Sequence, residues 1–407
     1  MTKYPSLIQV KKTIEHPDVP PIMPPSAYEE IVSYKKIEKC YGLTLRGDRK
    51  YKREAVDYDL LRETNNVELW RDLKNRRYIP GPYHHTVITE PKRRDLSIPK
   101  LRDKVVQLAI HDELQNLFRP VFIKGSFACQ YGKGPIRAAL KVQHDMRAAR
   151  REWGDDAAVI KLDVRKYFYS IDRDVLKKII AKRFKKLKKK RPELYEDFLH
   201  FYRLLCRVID SSPEGERGVP LGNVSSQDFA NIYLNELDQY CVRYLGLKYF
   251  TRVADDIVVV VKSMEFAWEK LAQIKAFLEE RLHLEANEKT KIFYVRQGVN
   301  AYGFKIKTTH MLVRTESKRK EKRRVKKMVE KMKKGELTKK YVVQAVNSWL
   351  GFARWASAYN LAKKIFAPYR FIKVEGALPY GAISRNRQAR RVLQQRLNPA
   401  TPHKAVA

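Results

Sequence analysis

Thr251-Arg-Val-Ala-Asp-Asp-Ile-Val-Val-Val-Val261 carries two adjacent carboxylates, Asp255 and Asp256, between Tyr249-Phe250 and an unbroken β-branched run. A short apolar run rich in Val and Ile predicts a buried strand. Ala254-Asp255-Asp256 then reads as the tip of a hairpin at the rim of a sheet. Neighbouring residues on a strand point to opposite faces. One Asp can therefore face a cleft while the other is held by the backbone or shares an ion at an angle. Two like charges this close repel unless a cation lies between them. The stretch predicts a metal ion, with further ligands elsewhere in the chain.

A chain of 407 residues allows two or three substructures around a sizeable core. Hydrophobic residues at 44% and aromatic residues at 11% exclude a disordered protein. A formal net charge of +38 exceeds what solubility requires and implies a polyanionic partner. For a globular chain, nucleic acid outranks a membrane surface in that role. Cys40, Cys129, Cys206 and Cys241 are scattered, without Cys-x-x-Cys spacing, and read as thiols of a reducing compartment. The N-terminal Met1-Thr-Lys-Tyr-Pro-Ser6 lacks the apolar core of a signal peptide, and no apolar run reaches membrane-spanning length. A soluble cytoplasmic protein with no membrane partner is expected.

Residues 1 to 26 are Pro-rich and read as an irregular arm. Helical spacing covers residues 28–41 and 51–77, ended by the turn Ile79-Pro-Gly-Pro-Tyr83. Alternation over 86–89 and 96–98 predicts a hairpin with Lys92, Arg93 and Arg94 at its tip, one way to present cations to a triphosphate. Helices are expected over 101–118 and 136–153. Val159-Ile-Lys-Leu-Asp163 reads as a strand with Asp163 at its C-terminal end. A helix from Arg173 runs into the cationic stretch 185–191, read as a solvated lobe or a phosphate contact. Residues 193–209 are again helical. The glycine-bearing loop from Gly218 enters a helix with Ser225 or Ser226 as its cap. A helix over 266–282, strands near 289–294 and 301–307, and a basic helix over 317–334 follow. Two apolar-periodic segments then meet around Gly351, ahead of a tail bearing Arg385, Arg387, Arg390, Arg391 and Arg396.

Asp163, Asp255 and Asp256 are three acids at strand ends in one mixed region, and together could hold two Mg²⁺ ions. Paired ions ~3.5–4 Å apart serve phosphoryl transfer. A basic chain, an acidic triad, a glycine-led loop and a cationic hairpin point jointly to nucleic-acid polymerisation.

Taken in order, these motifs resemble a reverse transcriptase of the bacterial and phage type over roughly residues 70 to 370. Val159 to Asp163 with Ile171-Asp172 resembles the first palm motif, Gly218 to Leu237 the second, and Ala254-Asp255-Asp256 the hairpin motif. Lys289-Thr-Lys291 matches the lysine motif, Tyr302-Gly-Phe304 the primer-grip turn, and Arg94 with the helix after Leu101 the fingers. The resemblance implies an α+β right-hand polymerase: a helical extension over 1–70, fingers over 71–158, and a palm with an antiparallel sheet and packed helices over 159–310. The palm would carry a basic insertion near 177–217, followed by a helical thumb over 311–370 and a basic tail over 371–407. It implies metal ligation by Asp163, Val164, Asp255 and Asp256, with two Mg²⁺ or substituting Mn²⁺. Lys92, Arg94, Tyr167, Phe168, Gly222 and Gln227 would contact the dNTP, Phe168 as the gate against a 2′-hydroxyl. Lys289 or Lys291 would protonate departing pyrophosphate. Lys318, Arg319, Arg323, Arg324, Lys327, Tyr302 and Gly303 would contact the template RNA and the cDNA/RNA duplex. Val253 stands where the family usually has Tyr, removing a contact to the primer end but no metal ligand.

Leu221-Gly-Asn-Val-Ser-Ser-Gln227, the segment Tyr78 to Tyr83, the compact size and the basicity resemble enzymes of diversity-generating retroelements. That family copies a template RNA with errors opposite adenine in mutagenic retrohoming, beside a small, basic, oligomeric accessory protein. Group II-like, retron-like and defence-associated reverse transcriptases are the alternatives, as is a non-catalytic RNA-binding scaffold on a polymerase fold.

Overall fold

The computed structural model describes residues 26–89, 93–369 and 371–372; the Pro-rich arm, Lys92 and the arginine-bearing tail lie outside them. Helices α1 (Tyr28–Ile31), α2 (Tyr34–Thr44), α3 (Arg53–Leu60) and α4 (Arg62–Lys74) lead into the expected hairpin of β1 (His84–Ile88) and β2 (Arg94–Ile98). Then come α5 (Leu101–Phe118), α6 (Pro135–Trp153), β3 (Ala158–Leu162) and α7 (Tyr167–Ser170). Helices α8 (Arg173–Lys190), α9 (Tyr195–Asp210) and α10 (Val224–Gln239) precede the hairpin of β4 (Tyr249–Val253) and β5 (Asp256–Val261). Helix α11 (Met264–Leu282) and β6 (Lys291–Tyr294) follow. Next are β7 (Val299–Ala301), β8 (Phe304–Ile306), β9 (Met311–Val313), α12 (Thr315–Lys333), α13 (Lys339–Ala353) and α14 (Tyr359–Phe366). No helix among the described residues is long and apolar enough to cross a membrane.

The central sheet has the order β4-β5-β3-β6 and is antiparallel throughout. Strands β3, β4 and β5 are buried at nearly every position because both faces are covered, whereas the edge strand β6 is half-exposed. Ile160, Leu162, Phe250, Ile257 and Val259 face one core, shared with Leu176, Tyr233, Leu237 and Leu278 of the flanking helices. Val159, Tyr249, Val258 and Val260 face a second core, with Met146 of α6, Phe304 of β8 and Trp349 of α13. Lys161, Asp163 and Asp256 fall on this second side by strand alternation.

Local chemistry sets most boundaries. Asp172 caps α8, its carboxylate accepting from the N–H groups of Asp174 and Val175, both at 3.0 Å. The cationic stretch after it continues the helix, with Phe184 and Leu187 buried and the lysines between them exposed. Two expectations are corrected. Neither Ser225 nor Ser226 caps α10: the helix begins at Val224, Asn223 is the extended cap residue, and both serines are buried inside its first turn. Asn223 donates instead to the Tyr83 hydroxyl at 3.0 Å, so docking against the 79–83 turn takes the place of a side-chain cap. Nor does Gly351 divide the following segment. Helix α13 runs through it to Ala353, because Val342, Val346, Trp349, Leu350 and Ala353 bury one continuous face. That packing outweighs the ~1 kcal/mol cost of one glycine in a helix.

The hairpin of β4 and β5 is held from beneath. The Arg252 guanidinium, fully buried, donates to both Asp238 carboxylate oxygens at 2.7 and 2.6 Å. It also donates to Asn231 Oδ1 at 3.3 Å, to the Ala254 carbonyl at 3.0 Å and to Ser126 Oγ at 3.2 Å. The chain at 125–127 adds to the free edge of β4: Arg252 N–H donates to the Gly125 carbonyl and Phe127 N–H to the Arg252 carbonyl, both at 2.8 Å. Gly125 is required there, since a Cβ would lie 2.3 Å from the Phe250 carbonyl oxygen. Removing one partner of a buried pair leaves an uncompensated charge. Asp238→Ala is therefore expected to lower the unfolding free energy by about 3–5 kcal/mol, while Arg252→Met with Asp238→Leu recovers most of the loss. Urea unfolding measures both; a single-variant loss below ~1 kcal/mol would show that the pair does not hold the hairpin.

Candidate active site

Asp163 immediately follows β3, and its carbonyl accepts from Asn287 N–H at 2.7 Å. Ala254 and Asp255 form the two-residue turn between β4 and β5, with Ala254 in the left-handed region at φ 54°. Asp256 opens β5 opposite Val253. The three acids share one electrostatic neighbourhood. Burial first, and then the Asp163 charge, raise the Asp255 carboxyl above its ordinary range against the pull of Arg94 and Arg252. Burial pushes Asp256 to about 6; Lys161 opposes the rise while Asp163 and Asp255 add to it.

Among the described residues, no group of three or more His, Cys, Asp or Glu side chains converges closely enough to hold a metal ion as it stands. The donor set nonetheless suits a hard cation. Oδ1 of Asp256 is buried without a hydrogen-bond partner, and Oδ2 lies 3.9 Å from Lys161 Nζ. Burying such carboxylates together is unfavourable until positive charge arrives between them. Val164, expected to ligate alongside them, is buried and bridges Ala286, so only its backbone carbonyl is chemically suited to that role.

The residues expected around a nucleotide divide. Arg94 opens β2, exposed, and lies close enough to lower the pKa of Asp255. Lys92 falls outside the described residues. Phe168 is partly buried on α7, its ring edge-on to Tyr167 at 5.6 Å. The side chain of Tyr167 does not reach the cleft. It is 3% exposed and its hydroxyl donates to the Ala230 carbonyl, because the apolar face of α7 turns it inward. Gly222, at φ 121°, fits where the loop crosses β2: a Cβ would lie 2.9 Å from the Ser97 carbonyl oxygen. Ser97 N–H in turn donates to the Leu221 carbonyl at 2.9 Å. Gln227 is exposed on the first turns of α10.

Lys291 opens β6 opposite Lys161, and Lys289 lies before the strand; both are exposed. Tyr302 and Gly303, with φ 50° and 87°, form the two-residue turn between β7 and β8. The Tyr302 side chain is withdrawn from any surface a nucleic acid could reach. Its hydroxyl donates to the carbonyls of Thr251 at 3.1 Å and Asp256 at 3.2 Å, bracing the acid-bearing hairpin from the second core. Gly303 is half-buried, and a Cβ on it would meet the Phe352 ring at 3.0 Å, so α13 crowds one side of the turn. On α12, Arg319, Arg323 and Lys327 are exposed and Lys318 is half-buried. Arg324 is committed elsewhere: it holds both Glu321 oxygens at 2.9 Å and the Ala345 carbonyl at 2.9 Å, tying α12 to α13.

Sequence reading missed Lys161, Arg252 and Asp238. A lone arginine inside an apolar strand, with an acid closing an apolar helix, was the available signal for the buried pair. Lys161 carried a weaker one, its two-residue spacing from Asp163 on a strand.

Residues 86–332 match the reverse transcriptase (RNA-dependent DNA polymerase) family. Protein YkfC of Escherichia coli (strain K12) is 27% identical over 313 residues, 65% of this chain and 74% of that protein. The group II intron-encoded protein LtrA of Lactococcus lactis subsp. cremoris is 27% identical over 225 residues, covering 54% of this chain and 34% of the relative. Among solved structures, telomerase from Candida albicans in complex with a fragment of telomeric RNA superposes with a TM-score of 0.45 at 13% identity, over 76% of this chain and 61% of that one. With the family match extending over more than half of its residues, the chain belongs to the reverse transcriptases, RNA-dependent DNA polymerases.

Proposed function

We propose that this chain copies a template RNA into cDNA at the rim of its central sheet, with Asp163, Asp255 and Asp256 holding divalent cations. The observation that supports the reading is the shared electrostatic neighbourhood of those acids, in which burial and the Asp163 charge both raise the Asp255 and Asp256 carboxyls, in a chain of this family. Bound there, two Mg²⁺ ions would activate the primer 3′-hydroxyl and stabilise the leaving oxygen. The protein's own groups do the rest. Arg94 faces the triphosphate, with Lys92 proposed beside it; Phe168 sets the sugar specificity; Gly222 and Gln227 line the nascent base pair; Lys289 or Lys291 supplies the proton to pyrophosphate. Exposed cations of α12 track duplex phosphates, recognising A-form shape.

Within the family, we assign the chain to the diversity-generating retroelement type, on the Leu221-to-Gln227 loop, the Tyr78-to-Tyr83 segment and the net charge of +38. A small, basic, oligomeric accessory protein is then a partner. A group II-like enzyme is the second reading, favoured by the 27% identity to the intron-encoded protein.

Purified protein given primed RNA, dNTPs and Mg²⁺ should extend the primer. Asp255→Ala should reduce the rate at least ~1,000-fold, a loss of ~4 kcal/mol of transition-state stabilisation. No incorporation by the unaltered protein would favour the RNA-binding scaffold. Sequencing the products separates the two readings: errors concentrated opposite template adenine fit the retroelement enzyme, and errors spread over all bases fit the group II-like one.

The Asp256 carboxyl, raised to about 6 in the folded chain against about 3.9 unfolded, makes folding less favourable once the pH passes the unfolded value. Its destabilisation grows as pH rises from about 4 to 6, and a bound cation offsets it. The rise in melting temperature on adding Mg²⁺ should therefore be large at pH 7.5, shrink at pH 5, and be mostly lost in Asp256→Asn. An equal rise at both pH values would contradict this.

RNA–DNA duplex affinity should fall steeply with salt. Replacing Arg319, Arg323 and Lys327 by Ala should flatten the log–log slope by about 2–3, one released counterion per lost phosphate contact. An unchanged slope in fluorescence anisotropy titrations would remove α12 from the duplex path.

A further inference from the structure

The loop between α5 and α6 carries a residue that the assignments above leave unused. After pairing with β4 at 125–127, the chain turns at Cys129, which sits in the left-handed region at φ 49°. That conformation is unfavourable for a residue with a Cβ, and here it is held from several sides. Asn231 Nδ2 donates to the Ala128 carbonyl at 2.9 Å. Gln115 Nε2 donates to the Cys129 carbonyl at 3.1 Å and to Asp228 Oδ1 at 2.6 Å. Asp228 Oδ2 is 2.7 Å from His111 Nδ1, so α5, the loop and α10 share one polar network. The result of the strained turn is the direction of the side chain: Cys129 Sγ donates to Gln227 Oε1 at 3.0 Å.

An amide whose oxygen is engaged has its two N–H donors turned the other way. A free amide rotates and exchanges donor for acceptor. The thiol remains a donor at neutral pH, since the surrounding protein and then the Asp228 carboxylate push its pKa up. Gln227 itself is exposed beside the buried Asp228, at the start of α10.

We propose that Cys129 is a specificity-determining positioning residue, whose thiol fixes the Gln227 amide and so decides which hydrogen-bonding edge meets the nascent base pair. This rests on the reading above in which Gln227 lines that pair. Cys129 touches no reacting atom. It acts on the choice between correct and incorrect nucleotides rather than on bond formation.

Single-nucleotide primer extension on RNA templates tests it, with kcat/KM measured for correct and incorrect dNTPs opposite each template base. Cys129→Ala should change the incorrect-to-correct ratio by about two- to five-fold, the range of one modest hydrogen bond, and more than it lowers correct turnover. Cys129→Ser keeps a donor and should restore most of the original ratio. The double variant with Gln227→Ala should match Gln227→Ala alone, because the thiol has nothing left to orient. A changed ratio in Gln227→Ala with an unchanged one in Cys129→Ala overturns the proposal and leaves the pocket assignment standing. An unchanged ratio in Gln227→Ala removes Gln227 from the pocket, and the proposal falls with it. Should Cys129→Ala lower the melting temperature, Cys129→Ser decides: an alanine-like ratio in the serine variant, at an unaltered melting temperature, also overturns the proposal.

Discussion

A guanidinium sealed from water does the structural work at the centre of this chain. Arg252 meets Asp238 through two hydrogen bonds, at 2.7 and 2.6 Å, and reaches the Ala254 carbonyl on the turn that carries the acids. Two adjacent carboxylates on a half-buried rim repel each other and resist desolvation. A hairpin bearing them needs anchors that do not depend on the ligand. The buried pair supplies one from below, and the Tyr302 hydroxyl supplies another from the opposite face of the sheet. The pair costs desolvation, and its return is orientation rather than stability.

Around that anchor the site is assembled from segments far apart in the chain by close backbone approach. The loop from Gly218 to Gly222 lies between α7 and β2. A Cβ on Gly218 would be 3.0 Å from Tyr169 Cα, and one on Gly222 would be 2.9 Å from the Ser97 carbonyl oxygen. Both glycines adopt positive φ, so the loop combines a conformation and a proximity that larger residues resist. Tyr169 completes the contact, its hydroxyl donating to the Asp95 carbonyl at 3.1 Å. The cationic hairpin, the aromatic pair of α7 and the start of α10 are thereby fixed relative to one another by the protein alone.

Periodicity made the scaffold readable. The Val run of β5, helix α5 from Leu101 to Phe118 and the hairpin of β1 and β2 lie where apolar spacing put them, because each buries a face its own sequence defines. Positions whose fate depends on a distant partner were not readable. Tyr167 and Tyr302 resemble surface aromatics of a binding cleft, yet one donates to Ala230 and the other braces Thr251 and Asp256. Arg324 shares a helix with exposed cations but is claimed by Glu321 and Ala345. Ser225 and Ser226 have the chemistry of a cap, and tertiary burial left them inside the helix. Local sequence reports propensity, whereas these outcomes were decided by which groups lay across the fold.

Phe352 of α13 stacks on Phe304 at 4.5 Å between ring centroids and presses on Gly303, next to the tyrosine that grips the acid turn. The C-terminal helices and the carboxylates are thus linked by a short mechanical train: ring on ring, turn, hydroxyl, hairpin. The last link of that train is the backbone of Asp256 itself, so the packing of α13 and the posture of the acid turn share one set of contacts.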